Sequence, residues 1–205
     1  MKRVPVRPIA LLFAAAAALW LMIAGSGQLL GFDLGQVGAV ALISVAWISL
    51  YQLGHGRSGD LDEAVSPGEW RAWIGLFFML AAVIYFFAKL PLFDSDNIDA
   101  RVVVRNLVTL GIAWAVVGQV LASRWQDKVQ EDERDREILQ RASAWGRGAL
   151  VFLVIALALT LGFSPQDRLI WATPFFLANL LIFGLMLGWL VEYAAIAGQY
   201  WRDRQ

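Results

Sequence analysis

A chain of 205 residues that is 59% hydrophobic and only 17% charged is too apolar for an ordinary soluble domain, where about 45–50% apolar and ~25% charged residues are usual. Its 17 Lys and Arg balance 17 Asp and Glu, so there is no basic face for nucleic acid, and the apolar excess excludes disorder. With no Cys and one His, disulfides, thiolate metal sites, iron–sulfur clusters, thiol nucleophiles and paired-His ligation are excluded, and neither a metal nor a cofactor is expected.

A membrane helix needs about 20 mainly apolar residues, and six segments supply them. The expected fold class is therefore all-α: a polytopic bundle of six transmembrane helices forming a single domain over residues 1–205. The first span, about 8–30, carries an unbroken apolar run over 9–24 behind the basic Lys2, Arg3 and Arg7. Ala24-Gly25-Ser26 resembles a cleavage site, so a removed leader is the alternative; the length of the run, with Pro5 and Pro8 before it, favours a retained helix.

The second span covers about 36–53. The following loop, 52–69, is Gly-rich and holds His55, which reads as a solvated side chain because Asp60, Asp62 and Glu63 are only loosely placed to partner it. Ser66-Pro67-Gly68-Glu69 then opens the third span, about 70–88, with a Ser cap, Pro at the first helical position and an acid at the third. The next loop contains Asp94-Ser95-Asp96-Asn97-Ile98-Asp99. Such carboxylates can hold Ca²⁺, but Asp99 stands where that loop needs Gly and Arg105 where it needs Glu. Capping of the fourth span is the simpler reading.

The fourth span, about 102–122, carries a small-residue stripe of Gly111, Ala115, Gly118 and Ala122, with Gln119 toward its inner end. The fifth covers about 148–163. Before the sixth, about 169–197, Ser164-Pro165-Gln166-Asp167 repeats the earlier capping pattern. Two three-span halves of opposite topology would be an inverted repeat, yet the remaining helices show no similarity, and recurrent capping chemistry explains the match. Asn179 lies mid-span. Gly184, Gly188, Glu192 and Ala195 share one stripe, and Gly184-x-x-x-Gly188 permits close helix packing. Intramembrane polar residues are functional candidates by default. The simplest account is that both stripes are packing faces (Gly184, Gly188, Gly111, Ala115 and Gly118), with Glu192 near the inner interface paired with an Arg of the inner loops; the sharper account is a cavity or gate of Glu192, Gln119 and Asn179.

Orientation follows from the cations in the short loops. With the N-terminus inside, 13 of the 17 Lys and Arg fall on the inner side, and Lys89, Arg101, Arg105 and Arg168 fall outside. Both termini are therefore expected in the cytoplasm. Trp70, Trp73, Trp125, Trp145 and Trp201 at the inner boundary, with Trp171 at the outer one, agree with that map.

The most distinctive stretch is the charged hairpin 124–147, with six acids and six bases. Lys128 with Asp132, Asp132 with Arg136, and Glu137 with Arg141 are favourable i,i+4 pairs, whereas Glu131 with Asp135 and Glu133 with Glu137 oppose helix formation. A break near 130–132 is expected, with Asp132 capping a helix that runs through Trp145 into the fifth span. At ~1.5 Å per residue such a helix is about 45 Å long against a membrane of about 30 Å, so two or three turns would project, with Ile138, Ala142 and Trp145 on one face. A protein partner would be contacted by Asp132, Glu133, Arg134, Asp135, Arg136, Glu137 and Arg141.

The Asp-Glu-Arg-Asp-x-x-Ile segment, Asp132 to Ile138, leading into a membrane helix resembles a feature of small uncharacterised bacterial multi-pass inner-membrane proteins. The resemblance spans about thirty residues. It implies a bacterial inner-membrane location and supplies no activity.

Enzymatic constellations are lacking. Ser44 and Ser49 have no membrane His to activate them, and Gly-x-Ser-x-Gly, His-Glu-x-x-His, a P-loop and a dinucleotide fingerprint are all missing. The expectation is a non-enzymatic inner-membrane protein, embedded in the lipid bilayer, that works through protein–protein contact at the charged segment, with a cytoplasmic or membrane partner. The alternative is a small homo-oligomeric transporter or channel component using polar residues of spans four and six.

Overall fold

The computed structural model describes residues 6–24, 28–29, 32–55, 67–94, 98–125 and 133–203. They form six helices: α1 (Val6–Ala24), α2 (Leu34–His55), α3 (Pro67–Lys89), α4 (Ile98–Trp125), α5 (Glu133–Phe163) and α6 (Pro174–Arg202). Five of them, α2 to α6, are long and apolar enough to cross a membrane, and α1 adds a shorter apolar helix over Ala10–Ala24.

A two-residue antiparallel pairing joins α1 to α2, with Gln28 opposite Asp33 and Leu29 opposite Phe32. Asp33 then caps α2: its Oδ1 accepts from the Gly35 N–H at 2.7 Å. The α1–α2 crossing is backbone against backbone. A Cβ on Gly38 would lie 2.7 Å from both Ala18 O and Met22 N, so only glycine fits there.

α3 is the central helix, packed against α1, α2, α4 and α6. Met79 and Ala82 are wholly buried, with Phe78, Tyr85 and Phe86 nearly so. Rings connect it to its neighbours: Phe86 stacks on Phe183 of α6 at 4.5 Å, and Phe78 stacks on Trp114 of α4 at 4.9 Å. Beyond α3, Phe93 extends the layer to Phe175 and Phe176. α4 buries Ala100, Val103, Leu107, Leu110, Trp114 and Val117, a 3–4 alternation that keeps one seam turned inward. In lipid no hydrophobic force drives helices together, so this close contact is what holds such a bundle.

α5 lies at the edge, and α6 is its one extensive neighbour. The helix runs unbroken through the charged stretch into the apolar one. Its first turns do not stand clear of the bundle. Ile138 and Ala142 are buried together with Ala72 of α3 and Ile196 and Ala197 of α6, because α3 and α6 extend alongside. Trp145, expected on that same face, is instead 67% exposed. The α3 residues of this cluster, Ala72 with Trp73 and Leu76, belong to the first turns of α3, and the next side chain along the face is left uncovered.

Two expectations about helix starts differ in outcome. α3 begins at Pro67 with Glu69 in its first turn, while Ser66 lies outside the described residues. Ser164-Pro165 does not open the sixth helix. The Ser164 N–H donates to Thr160 O at 3.1 Å and so closes α5, and Gln166–Arg168 forms a short 3-10 turn. α6 begins at Pro174, where Thr173 Oγ1 accepts from the Phe176 N–H at 3.1 Å. A hydroxyl followed directly by Pro provides both the cap and the preset φ. The two halves also pack differently, α1 with α2 but α5 with α6, so the capping match does not extend to a common arrangement.

Candidate functional site

The start of α5 carries the charged contact candidates. Arg136, Glu137, Leu139, Gln140 and Arg141 are exposed, and Glu137 is paired with Arg141 one turn on. Asp132 lies outside the described residues. For Glu133, Arg134 and Asp135 the structure describes the helical backbone alone. Burial of Ile138 and Ala142 on the opposite side fixes which face of the helix turns outward.

One turn further, α5 crosses α6 glycine on glycine. A Cβ on Gly146 would fall 2.8 Å from Gly188 O and 3.0 Å from Glu192 Cβ, and one on Gly188 would fall 3.2 Å from Gly146 O. Gly184 of α6 faces Leu150 and Leu153 of α5. The α6 stripe is thus a close helix crossing. The α4 stripe is not: a Cβ on Gly111 would reach only the Met186 methyl at 3.6 Å, one on Gly118 only the Arg71 guanidinium at 3.8 Å, and Ala115 is exposed.

Beside the crossing Glu192 is partly buried, and Arg147 of α5 and Arg71 of α3 both act on its carboxylate. Among the described residues neither closes a direct ion pair onto it. A shallow cavity of about 690 Å³, open to the surface, lies here, lined by Leu139, Gln140, Ser143, Arg147 and Glu192. Next to Glu192, the Tyr193 ring occupies the space beside Gly75, where a Cβ would come within 2.7 Å of it. Its hydroxyl accepts from Trp114 Nε1 at 2.9 Å. α3, α4, α5 and α6 therefore meet at this end through polar side chains.

A second polar cluster lies at the other end of α4. Arg105 Nη2 reaches Asp33 Oδ2 at 3.8 Å and donates to Gln36 Oε1 at 3.3 Å. Beneath it, in the core, Asn106 Nδ2 donates to the Tyr85 hydroxyl at 3.2 Å. Between the two clusters the chain packs Phe78, Met79, Leu107, Leu110 and Met186, all buried. Asn179 is 1% exposed. Its Nδ2 donates to Phe175 O at 2.7 Å, and its Oδ1 has no partner.

Of the proposed gate residues, the structure puts Glu192 on the cavity. Gln119 is exposed and sits 140° around α4 from Trp114 at ~100° per residue, away from the packed seam. Asn179 is more than three turns of α6 from Glu192 and does not join it. Sequence reasoning expected an inner-side Arg beside Glu192 without saying which, and missed Ser143. The i,i+4 spacing of Ser143 and Arg147 marks a common face, but only the register of α5 on α6 brings that face to Glu192. His55 keeps only its backbone description, and residues 95–97 of the acidic loop lie outside the described residues.

No protein-family model, curated protein or solved structure matches the chain. Any function has to be argued from the site itself.

Proposed function

We propose that this chain is a bacterial inner-membrane protein with six spans and both termini in the cytoplasm, which acts without catalysis by contacting another protein through the start of α5. The observation that carries the reading is the two-sided character of that segment. Ile138 and Ala142 anchor it on α3 and α6, and the exposed side presents Arg136, Glu137, Gln140 and Arg141. A face held at a fixed angle binds a partner without the entropy loss of ordering a loose loop, and mixed charges select partners by complementarity. The inner placement of 13 of 17 cations supports the orientation.

The test is photo-crosslinking in intact cells from an unnatural residue at position 140, with Leu159, an exposed apolar residue in the same helix, as the control position. One discrete adduct from position 140 is expected, absent from position 159. It should disappear when Arg136→Glu, Glu137→Arg and Arg141→Glu are combined at equal expression. Adducts that are the same from both positions, or that survive the combined variant, would overturn the reading.

A small transporter or channel component is the second reading, favoured by Glu192 on its cavity. The buried apolar layer between the two polar clusters weighs against a continuous polar path.

A further inference from the structure

The cavity between α5 and α6 has walls of both charge signs. Glu192 supplies a carboxylate and Arg147 a guanidinium, and the Ser143 hydroxyl and Gln140 amide also line it. An anion alone would face the Glu192 carboxylate, and a cation alone would face Arg147 and Arg71. Because Glu192 and Arg147 do not pair directly with one another, both retain hydrogen-bonding capacity for a ligand that carries the two complementary charges.

The position of the cavity narrows the ligand further. Arg147 stands 16 residues before Phe163, the end of α5, and Glu192 stands 18 residues beyond Pro174, the start of α6. At ~1.5 Å per residue these are about 24 Å and about 27 Å, against a hydrocarbon thickness of about 30 Å. Both charged groups therefore lie at the edge of the hydrocarbon, level with headgroups, and the exposed Trp145 sits at the depth that indole rings favour. From Arg147 the same face of α5 continues through Val151 and Val154. From Glu192 the same face of α6 continues through Leu185 and Leu181. All four apolar side chains are exposed. Two apolar ridges thus descend from one charged cavity, as a headgroup with attached acyl chains requires.

We propose that this cavity binds the headgroup of a zwitterionic phospholipid with a primary ammonium, that is, a phosphatidylethanolamine. Glu192 accepts hydrogen bonds from the ammonium. Arg147 donates to the phosphate oxygens, aided by Ser143 and Gln140, and the acyl chains lie along Val151, Val154, Leu185 and Leu181. The cavity volume of about 690 Å³ falls in the range of ~300–1,000 Å³ typical of small-ligand sites. Selectivity follows from the donors: a trimethylated ammonium cannot hydrogen-bond to Glu192, and a glycerol headgroup brings no positive charge. The site shares Gln140 with the partner face and adjoins it, but does not use its charged residues Arg136, Glu137 and Arg141.

The experiment is native mass spectrometry of the full-length protein, released from detergent containing equal amounts of phosphatidylethanolamine, phosphatidylcholine and phosphatidylglycerol with matched acyl chains. The unmodified protein is expected to retain one phosphatidylethanolamine at least several-fold over the other two. Glu192→Gln is expected to erase the preference over phosphatidylglycerol, and Arg147→Gln to reduce retention of phosphatidylethanolamine and phosphatidylglycerol alike. Equal retention of the three lipids by the unmodified protein, or a preference for phosphatidylglycerol, would overturn the proposal without recourse to any variant. Tail-free glycerophosphoethanolamine separates the lipid from a soluble zwitterion. Displacement of the lipid by equimolar tail-free compound would overturn the lipid assignment, whereas failure to displace it supports the ridges as part of the site.

Discussion

The Gly146–Gly188 crossing is the point at which a one-carbon change should have the largest effect on α5. Gly146→Ala places a methyl group 2.8 Å from Gly188 O, a backbone atom that no rotamer change can move, and 3.0 Å from Glu192 Cβ. Relief takes a few tenths of an ångström of separation along the α5–α6 seam, and overpacking of this kind costs about 1–3 kcal/mol. Alanine is the better helix former by about 1 kcal/mol, so the net destabilisation is up to about 2 kcal/mol. The same substitution at Gly148 is the internal control. Nothing lies within 4 Å of a Cβ there, so the helix-propensity gain of up to about 1 kcal/mol stands unopposed. Gly184→Ala falls between them, since its nearest neighbour is the movable Leu153 Cδ2 at 3.1 Å. Circular-dichroism melts of the four proteins in one detergent should rank Gly148→Ala at or above the unmodified chain, Gly184→Ala close to it, and Gly146→Ala clearly lowest. If Gly146→Ala and Gly148→Ala melt together, the glycine crossing is not what holds α5 to the bundle.

Two further changes probe polar groups outside the crossing. Asn179 buries an unpartnered Oδ1, an arrangement that costs about 1–3 kcal/mol; Asn179→Leu should therefore raise the melting temperature, and a fall would show that the amide has a partner in the membrane. Asp33 caps α2, so Asp33→Ala should cost about 0.5–2 kcal/mol while Asp33→Asn, which can still cap, keeps most of it; equal melts for the two variants would assign the effect to the lost charge near Arg105.

Helix number and type were legible because they depend on local composition. Long apolar runs separated by charged or Gly-rich stretches read directly as helices and connections, and the continuity of α5 from Glu133 through the charged stretch followed from its i,i+4 pairs. Boundaries were less legible where two capping signals competed. Ser164-Pro165 and Thr173-Pro174 look alike in one dimension, and the hydrogen bond from Ser164 to Thr160 assigns the first to the end of α5. The two small-residue stripes were equally persuasive as sequence, yet only that of α6 meets another backbone closely.

The sequence by itself determined that the protein is a set of apolar helices with a charged segment between the fourth and fifth, because hydropathy and helical periodicity are properties of neighbouring residues. It also singled out Glu192 as an unusual residue in an apolar helix. Only the tertiary structure decided what Glu192 meets. Arg147, Ser143 and Gln140 come to it from α5, and Arg71 acts on it from α3, through the register of Gly146 on Gly188. That register is set by steric fit between distant segments, which no periodicity along one helix encodes. The same fit buries Ile138 and Ala142, leaves Trp145 exposed, and turns Gln119 away from the packed seam of α4.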